Sequence, residues 1–280
     1  MILGSHKAFC QWKSFYPQEK INKEKKPKDQ EKERLKYHSH FFSAIKHKAL
    51  EDYDKAEKEL RSCIDLNEKE PGAFYEIAII YKYKKELDLA EQHIKKAIKL
   101  DANNQWHIIL YAEILMEKKD YKNAALQYKR LIETTKENTE FYYAMAEAYI
   151  YDNNLTKAIY SYDLLEKKVG ISKPVSLQKY KLYMQSLKKE KAKKELLSIL
   201  EKTPHDIEVL EFLSELYLLN DEKEKAFEVF KKIALIEPEN GRVHLTLADY
   251  YRQSGNNTKS FEELKLAFKS SKLGVEIKSQ

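Results

Sequence analysis

Of 280 residues only two are cysteine, two tryptophan, six glycine and six proline. Two cysteines, Cys10 and Cys63, imply no disulfide framework, and Cys63 reads as a small buried hydrophobe. Sparse glycine and proline suit a helical chain. The six glycines are isolated from one another, so no loop of the phosphate-cradling kind is present. No apolar run is long enough to cross a bilayer. Met1 to Cys10 lacks an apolar core of secretory length, and Lys7, Ala8 and Phe9 before Cys10 do not form a lipoprotein cleavage site. The chain is therefore expected to be cytoplasmic as written, or periplasmic or envelope-associated if an upstream signal is missing. His38, His40 and His47 lack the carboxylate or cysteine spacing of a metal site, and no serine or cysteine has an identifiable base. No enzyme activity, cofactor or metal is expected.

Arginine is scarce as well: five residues against 46 lysines. Recognition of phosphate favours the arginine fork, so the net charge of +6 is a weak argument for nucleic acid. Its location weakens that argument further. Residues 1–36 hold ten Lys and Arg against five Asp and Glu, which leaves the remainder nearly neutral.

What the chain has is a period. Alanine recurs every 34 residues at Ala56, Ala90, Ala124, Ala158, Ala192 and Ala226, and Ser260 closes the series. Twelve positions upstream run Ala44, Ala78, Ala112, Ala146, Ser214 and Ala248, interrupted by Tyr180. A fixed period of this length defines a repeat architecture, and two small positions per unit mark two helices that cross closely. A bulky column (His47, Tyr81, Leu115, Tyr149, Tyr183, Tyr217, Tyr251) stands eleven residues into each unit, where the first helix would pack on its partner. Leu60, Ile94, Tyr128, Tyr162, Leu196, Phe230 and Leu264 follow the main alanine by one turn on the same face. Pro204 and Pro238 stand where a helix should stop. The fifth unit departs from the pattern: Tyr180 replaces the small residue and Lys179 an apolar one, which predicts either a looser joint and a division between units 1–4 and 5–7, or a Tyr180 that repacks without consequence.

These columns resemble the tetratricopeptide repeat, whose pattern is a small residue, a tyrosine, an alanine, an aromatic and a terminal proline. The resemblance implies an all-α, right-handed solenoid of seven helix-turn-helix units at 37–70, 71–104, 105–138, 139–172, 173–206, 207–240 and 241–274. Residues 1–36 are expected to form a charged, flexible tail, with 17–36 a solvated linker or an extra charged helix. Residues 275–280 are expected to be the C-terminal end of a truncated chain, because "AFKSSKLGVEIK" resembles the start of a further repeat. "LLEKKVGIS", "LQKYKLY" and "LADYYRQSGN" look like tetratricopeptide proteins of the Bacteroidetes cell envelope, which implies an assembly or secretion scaffold.

In that family residues 2, 5, 6, 9, 12 and 13 of each unit line a concave groove. Carried onto this chain, those positions nominate Tyr75 from unit 2, Trp106, Ile109, Glu113 and Glu117 from unit 3, and Tyr143, Glu147 and Tyr151 from unit 4. Met184 comes from unit 5, and Glu211 and Glu215 from unit 6. A chaperone-type clamp for acidic C-termini needs cations at these places, where the early units offer Phe41, Ile45, Tyr75 and Ile79. An apolar trough edged by glutamates suits a basic amphipathic peptide or helix. The function expected is a non-catalytic protein-interaction scaffold with a protein or peptide partner, and with association through an uncapped C-terminal end as an added route. The alternatives are a nucleic-acid-binding helical repeat protein, or the regulatory repeat region of a larger enzyme.

Overall fold

The computed structural model describes residues 28–135 and 138–270. Fourteen α-helices, and no strand, occur among them. Seven first helices (α1 Lys28–Ala49, α3 Pro71–Tyr83, α5 Gln105–Glu117, α7 Glu140–Tyr151, α9 Lys173–Gln185, α11 Ile207–Leu219, α13 Gly241–Gln253) alternate with seven second helices. The latter are α2 Tyr53–Leu66, α4 Leu87–Leu100, α6 Tyr121–Thr134, α8 Leu155–Val169, α10 Lys189–Lys202, α12 Lys223–Ile236 and α14 Asn257–Lys269. The expectations for residues 1–27, Cys10 among them, and for residues 275–280 fall outside the described residues.

Local chemistry explains why the second helices start in phase. The residue ahead of each cap (Glu51, Lys85, Lys119, Asn153, Leu187, Asp221, Gly255) has positive φ. The next amide then donates back to the bulky column: Asp52 N to His47 O at 2.9 Å, Asn154 N to Tyr149 O at 2.8 Å, Glu222 N to Tyr217 O at 2.8 Å. This is the Schellman closure of a helix C-terminus, repeated at one position per repeat. Asp52, Asp120, Asn154 and Asn256 then accept from an amide of the following first turn and start the second helix. At the other turn, α10 ends at Lys202 and α12 at Ile236, each two residues before its proline.

Leu187 is the apolar member of that left-handed column, with φ 57° and 84% of its surface exposed. A side chain in this region is penalised by its own Cβ, and glycine is not. Leu187→Gly is expected to raise stability by about 0.5–1 kcal/mol, read by chemical denaturation of the full chain. A loss of stability would contradict the strain argument.

Contacts divide the chain into two compact units, Met1–Ala148 and Tyr149–Gln280. In the first, α1 packs on α2, α3 on α4 and α5 on α6; in the second, α9 packs on α10, α11 on α12 and α13 on α14. The small columns make these crossings possible. Ala44, Ala78, Ala112 and Ala146 are fully buried, as are Ala56, Ala90 and Ala124. Ser260 Oγ donates to Ala248 O at 2.8 Å, so the two columns touch in the last repeat. Leu60, Ile77, Ile80, Ile94 and Ile114 fill the first unit's core, together with Cys63. Burial pushes the Cys63 thiol up to about 12, the behaviour of a buried hydrophobe.

Two expectations are corrected. The first helix begins at Lys28, so residues 28–36 are not flexible tail or linker but helix, the other reading of that stretch, continuous with the first repeat. Their Lys, Glu, Gln and Arg are strong helix formers, and Arg34 pairs with Glu31 one turn away at 3.0 Å. The expected looseness of the fifth repeat is also absent. Tyr180 is 8% exposed and stacks at a tilt on Phe212, 5.4 Å between centroids. Lys179 is buried with its Nζ 2.8 Å from Asp163, 2.7 Å from Glu166 and 3.0 Å from Glu195. The division of contacts lies in α7, ahead of this repeat.

Candidate functional site: the first-helix faces

In the N-terminal unit, Glu113 acts electrostatically on both Tyr75 and Tyr128, and Glu147 on Tyr128. The Tyr75 ring lies 5.3 Å from the buried His107 ring. Burial raises the Tyr75 hydroxyl far above its ordinary value, and Glu76 and Glu113 add to the rise. Tyr128, from the second helix behind, is pushed to about 12 by burial and by Glu113 and Glu147. Ile109 packs with Tyr128 against Ile108, Leu131 and Phe141, so it forms floor and not rim. Trp106 is half-buried at the start of α5, its amide donating to Asn104 Oδ1 at 3.1 Å. Tyr143 is 38% exposed, and Phe42 and Tyr83, at family groove positions, are 52% and 64% exposed.

The glutamates of this unit do not all act as free anions. Lys82 forms an ion pair with Glu113 and lies 3.6 Å from Glu117, and Lys85 reaches Glu117 at 2.9 Å. Lys48 closes the preceding junction by pairing with Glu76. These pairs link consecutive first helices across the repeat boundary, and they neutralise much of the acidic edge expected in unit 3. Glu147 makes no ion pair among the described residues. On the back of the same unit Lys84 bridges Asp54 and Glu57, and Lys118 bridges Asp88 and Glu91 in the equivalent geometry one repeat later.

In the C-terminal unit, Tyr151 is 57% exposed, and Met184 is half-buried beside Leu177, Tyr180 and Phe212. Along α11, Glu208 pairs with Lys173 at 2.7 Å. Glu211 and Glu215 are exposed and make no ion pair among the described residues. Burial, then Glu237 and Glu215, raise the Glu211 carboxyl above its ordinary value, with Arg242 opposing. Negative charge is thus concentrated on α11, with Lys173 and Arg242 offsetting part of it.

His93 and His107 are packed among aromatic rings. His93 is stacked between Phe74 and Tyr81, with centroids at 6.1 and 5.4 Å, and burial pushes it down to about 4. His40 and His244 occupy the same place in the first and last repeats. Each meets a glutamate of its second helix, Glu59 at 2.5 Å and Glu263 at 2.6 Å. Among the described residues no three His, Cys, Asp or Glu side chains converge as a metal site would require, and no helix is long and apolar enough to cross a membrane.

A ladder of helix pairs with small residues at every crossing but the Tyr180 one, a Schellman turn per repeat and an exposed face on the first helices defines an α-helical repeat solenoid. Residues 46–70 and 71–104 match the family model of the tetratricopeptide repeat, so the chain carries repeats of that family in its first two units, in an all-α repeat solenoid. Its fold is similar to the C-terminal part of a tetratricopeptide-repeat-containing protein from Cytophaga hutchinsonii, 16% identical, with 85% of this chain and 98% of that one covered at a TM-score of 0.54. It is also similar to a chain in the structure of Naa15/Naa10 bound to HypK-THB, 16% identical, with 83% and 36% covered and a TM-score of 0.59. A tetratricopeptide repeat protein from Parabacteroides merdae matches at 15% identity over 88% and 97%, TM-score 0.49. At these identities the likeness is one of fold. No curated protein matches the sequence.

Proposed function

We propose that the protein is a non-catalytic interaction scaffold whose first-helix faces bind a peptide or helical segment of another protein. The observation that carries this reading is that, in each unit by itself, apolar side chains stay exposed on first helices that also bury others in the core. Phe42, Tyr83 and Tyr143 in the N-terminal unit, and Tyr151 and Leu218 in the C-terminal unit, are 38–64% exposed. Apolar surface arranged in this way marks an interaction site. With Glu113 and Glu117 already paired, the free negative charge is that of Glu147, Glu211 and Glu215, which favours a segment that sets Lys or Arg beside its hydrophobic anchors. The sequence resemblance to envelope proteins supports a role in assembly or secretion.

Selection of a random peptide library on the full chain tests this reading. The library is expected to enrich aromatic or aliphatic residues flanked by Lys or Arg. Affinity of the selected peptides should fall at least about tenfold in Tyr143→Ala and about three- to tenfold in Glu147→Lys or Glu215→Lys. Enrichment of acidic peptides, or indifference to all three substitutions, would remove the groove from the proposal.

A further inference from the structure

In the C-terminal unit one aromatic ring stands open at a place that every earlier repeat covers. Phe261 on α14 continues a column of Glu57, Glu91, Ala125, Ile159, Lys193 and Phe227, one on each earlier second helix. Ala125, Ile159 and Phe227 are at most 9% exposed, and the Glu57, Glu91 and Lys193 side chains 16–18%. Phe261 is 58% exposed. Where a partner to this column is seen, it is a tyrosine on the first helix of the following repeat. The Tyr81 hydroxyl donates to Glu57 Oε1 at 2.7 Å and the Tyr111 hydroxyl to Glu91 Oε1 at 3.3 Å. Lys193 Nζ lies 6.0 Å from the centre of the Tyr217 ring. Phe227 carries Lys231 Nζ 5.0 Å from its ring centre and stacks on Tyr250 at 3.9 Å and 14°. Phe261 repeats the first of these contacts, with Lys265 Nζ at 4.6 Å. Among the described residues no ring stacks on it.

The preceding junction shows what such a face accepts. There α13 packs on α12 with Val243 and Leu247, seven and three residues before Tyr250, in one core cluster with Phe227, Phe230 and Ile233. On α14 the half-buried Leu264 and the exposed Phe268 share a helix face with Phe261, at spacings of three and seven. A second copy docking by its own α1 is a poor match, because Ser39, Ser43 and Lys46 stand where α13 has Val243, Leu247 and Tyr250. Two hydroxyls would then lie where two aliphatic side chains belong. We propose that the Phe261 face of α14 receives an amphipathic helix of another protein. That helix stacks an aromatic ring on Phe261 as Tyr250 stacks on Phe227, and sets aliphatic side chains seven and three residues before the ring. The contact continues the packing of one repeat on the next across a chain boundary, away from the first-helix faces.

The sequence of α13 supplies the probe: a synthetic peptide of residues 238–256, held helical by a lactam bridge between its exposed positions 242 and 246. In the full chain α13 already covers α12, so the peptide is expected to bind α14, with a dissociation constant on the order of 100 µM. Phe261→Glu in the chain, or Tyr250→Ala in the peptide, should weaken binding at least about tenfold. Phe261→Glu changes an exposed helix position, so its thermal midpoint should match that of the wild type, which separates loss of contact from loss of fold. Tyr143→Ala, on the first-helix faces, should leave the affinity of this peptide unchanged. No binding at about 1 mM peptide, or equal binding by Phe261→Glu, would overturn the proposal. So would either rival occupant. A wild type that sediments as a dimer while Phe261→Glu stays monomeric would assign the face to a second copy. A chain shortened to residues 1–270 that binds the peptide at least about tenfold more tightly would assign it to residues 271–280.

Discussion

Lys179→Met is expected to destabilise the C-terminal unit by about 3–5 kcal/mol, the usual result of removing one partner from a buried ion cluster. The lysine side chain is 7% exposed and is shared by Asp163, Glu166 and Glu195, of which Glu166 and Glu195 are themselves 15% and 13% exposed. Ser176 Oγ adds a hydrogen bond to Glu166 at 3.0 Å. Burial pulls the ammonium's pKa down, and the hydrogen bonds to the three carboxylates outweigh it, holding the group above its ordinary value. Three anions around one cation leave an excess of negative charge. Accordingly Glu195 is raised by its burial, with Lys179 opposing.

The pH dependence follows from these directions. Lys179 is raised in the fold, so its contribution is complete below the unfolded lysine value of about 10.4 and fades as pH rises through the folded value. In Lys179→Met the Glu195 carboxyl loses the cation that opposes its rise, so its folded value climbs further and the fold favours its protonated form. The variant should therefore regain stability as pH falls from about 6 toward 4. Denaturation at pH 7 and pH 5, with hydrogen exchange over α9 and α10, measures both effects. A loss below about 1 kcal/mol at pH 7, or a variant no better at pH 5, would show the cluster to be surface-like.

That cluster marks the limit of what the sequence discloses. The small columns, the bulky column and the prolines announce the repeats because each acts within one period, through helix crossing, helix closure and helix termination. Lys179 breaks its column, and from sequence it reads as a defect. Its partners lie 16 and 13 residues before it and 16 after it, a spacing that means nothing until α8, α9 and α10 are packed. Glu113 shows the same blindness in the candidate site. Counted alone it is an acid facing a groove; in the structure Lys82 of the preceding repeat takes it up. A signal for that pairing was present, since Lys48 and Glu76 are related in a similar way one junction earlier. The strain at Leu187 was hidden for another reason: nothing in a leucine announces positive φ, and only the alignment of its turn with Gly255 and Asn153 reveals it.

Tyr180 supplies the second large effect, and here a repeat consensus would mislead. Its column demands a small residue, so a designer following the other repeats would write Tyr180→Ala and expect improvement. The structure predicts the opposite: a loss of about 3–4 kcal/mol, the range for truncating a buried aromatic. The ring is 8% exposed and tilts onto Phe212 within a core of Leu196, Leu210 and Leu213. Burial, then Glu215, raises its hydroxyl, which fits a phenol turned away from water. The neighbouring repeat has adjusted to the ring, and removing it leaves a cavity that helix pairs stapled on both sides cannot close. In the reverse experiment, Ala112→Tyr puts the same ring into a fully buried position of the N-terminal unit that has made no such adjustment. It should cost about 3 kcal/mol or more through overpacking. Together the two variants, followed by thermal and chemical denaturation, separate column identity from local fit. If Tyr180→Ala were neutral and Ala112→Tyr severe, the small residue would be a rule of the crossing itself. Losses in both would show that each repeat is packed to its own neighbours, with alanine only the commonest solution.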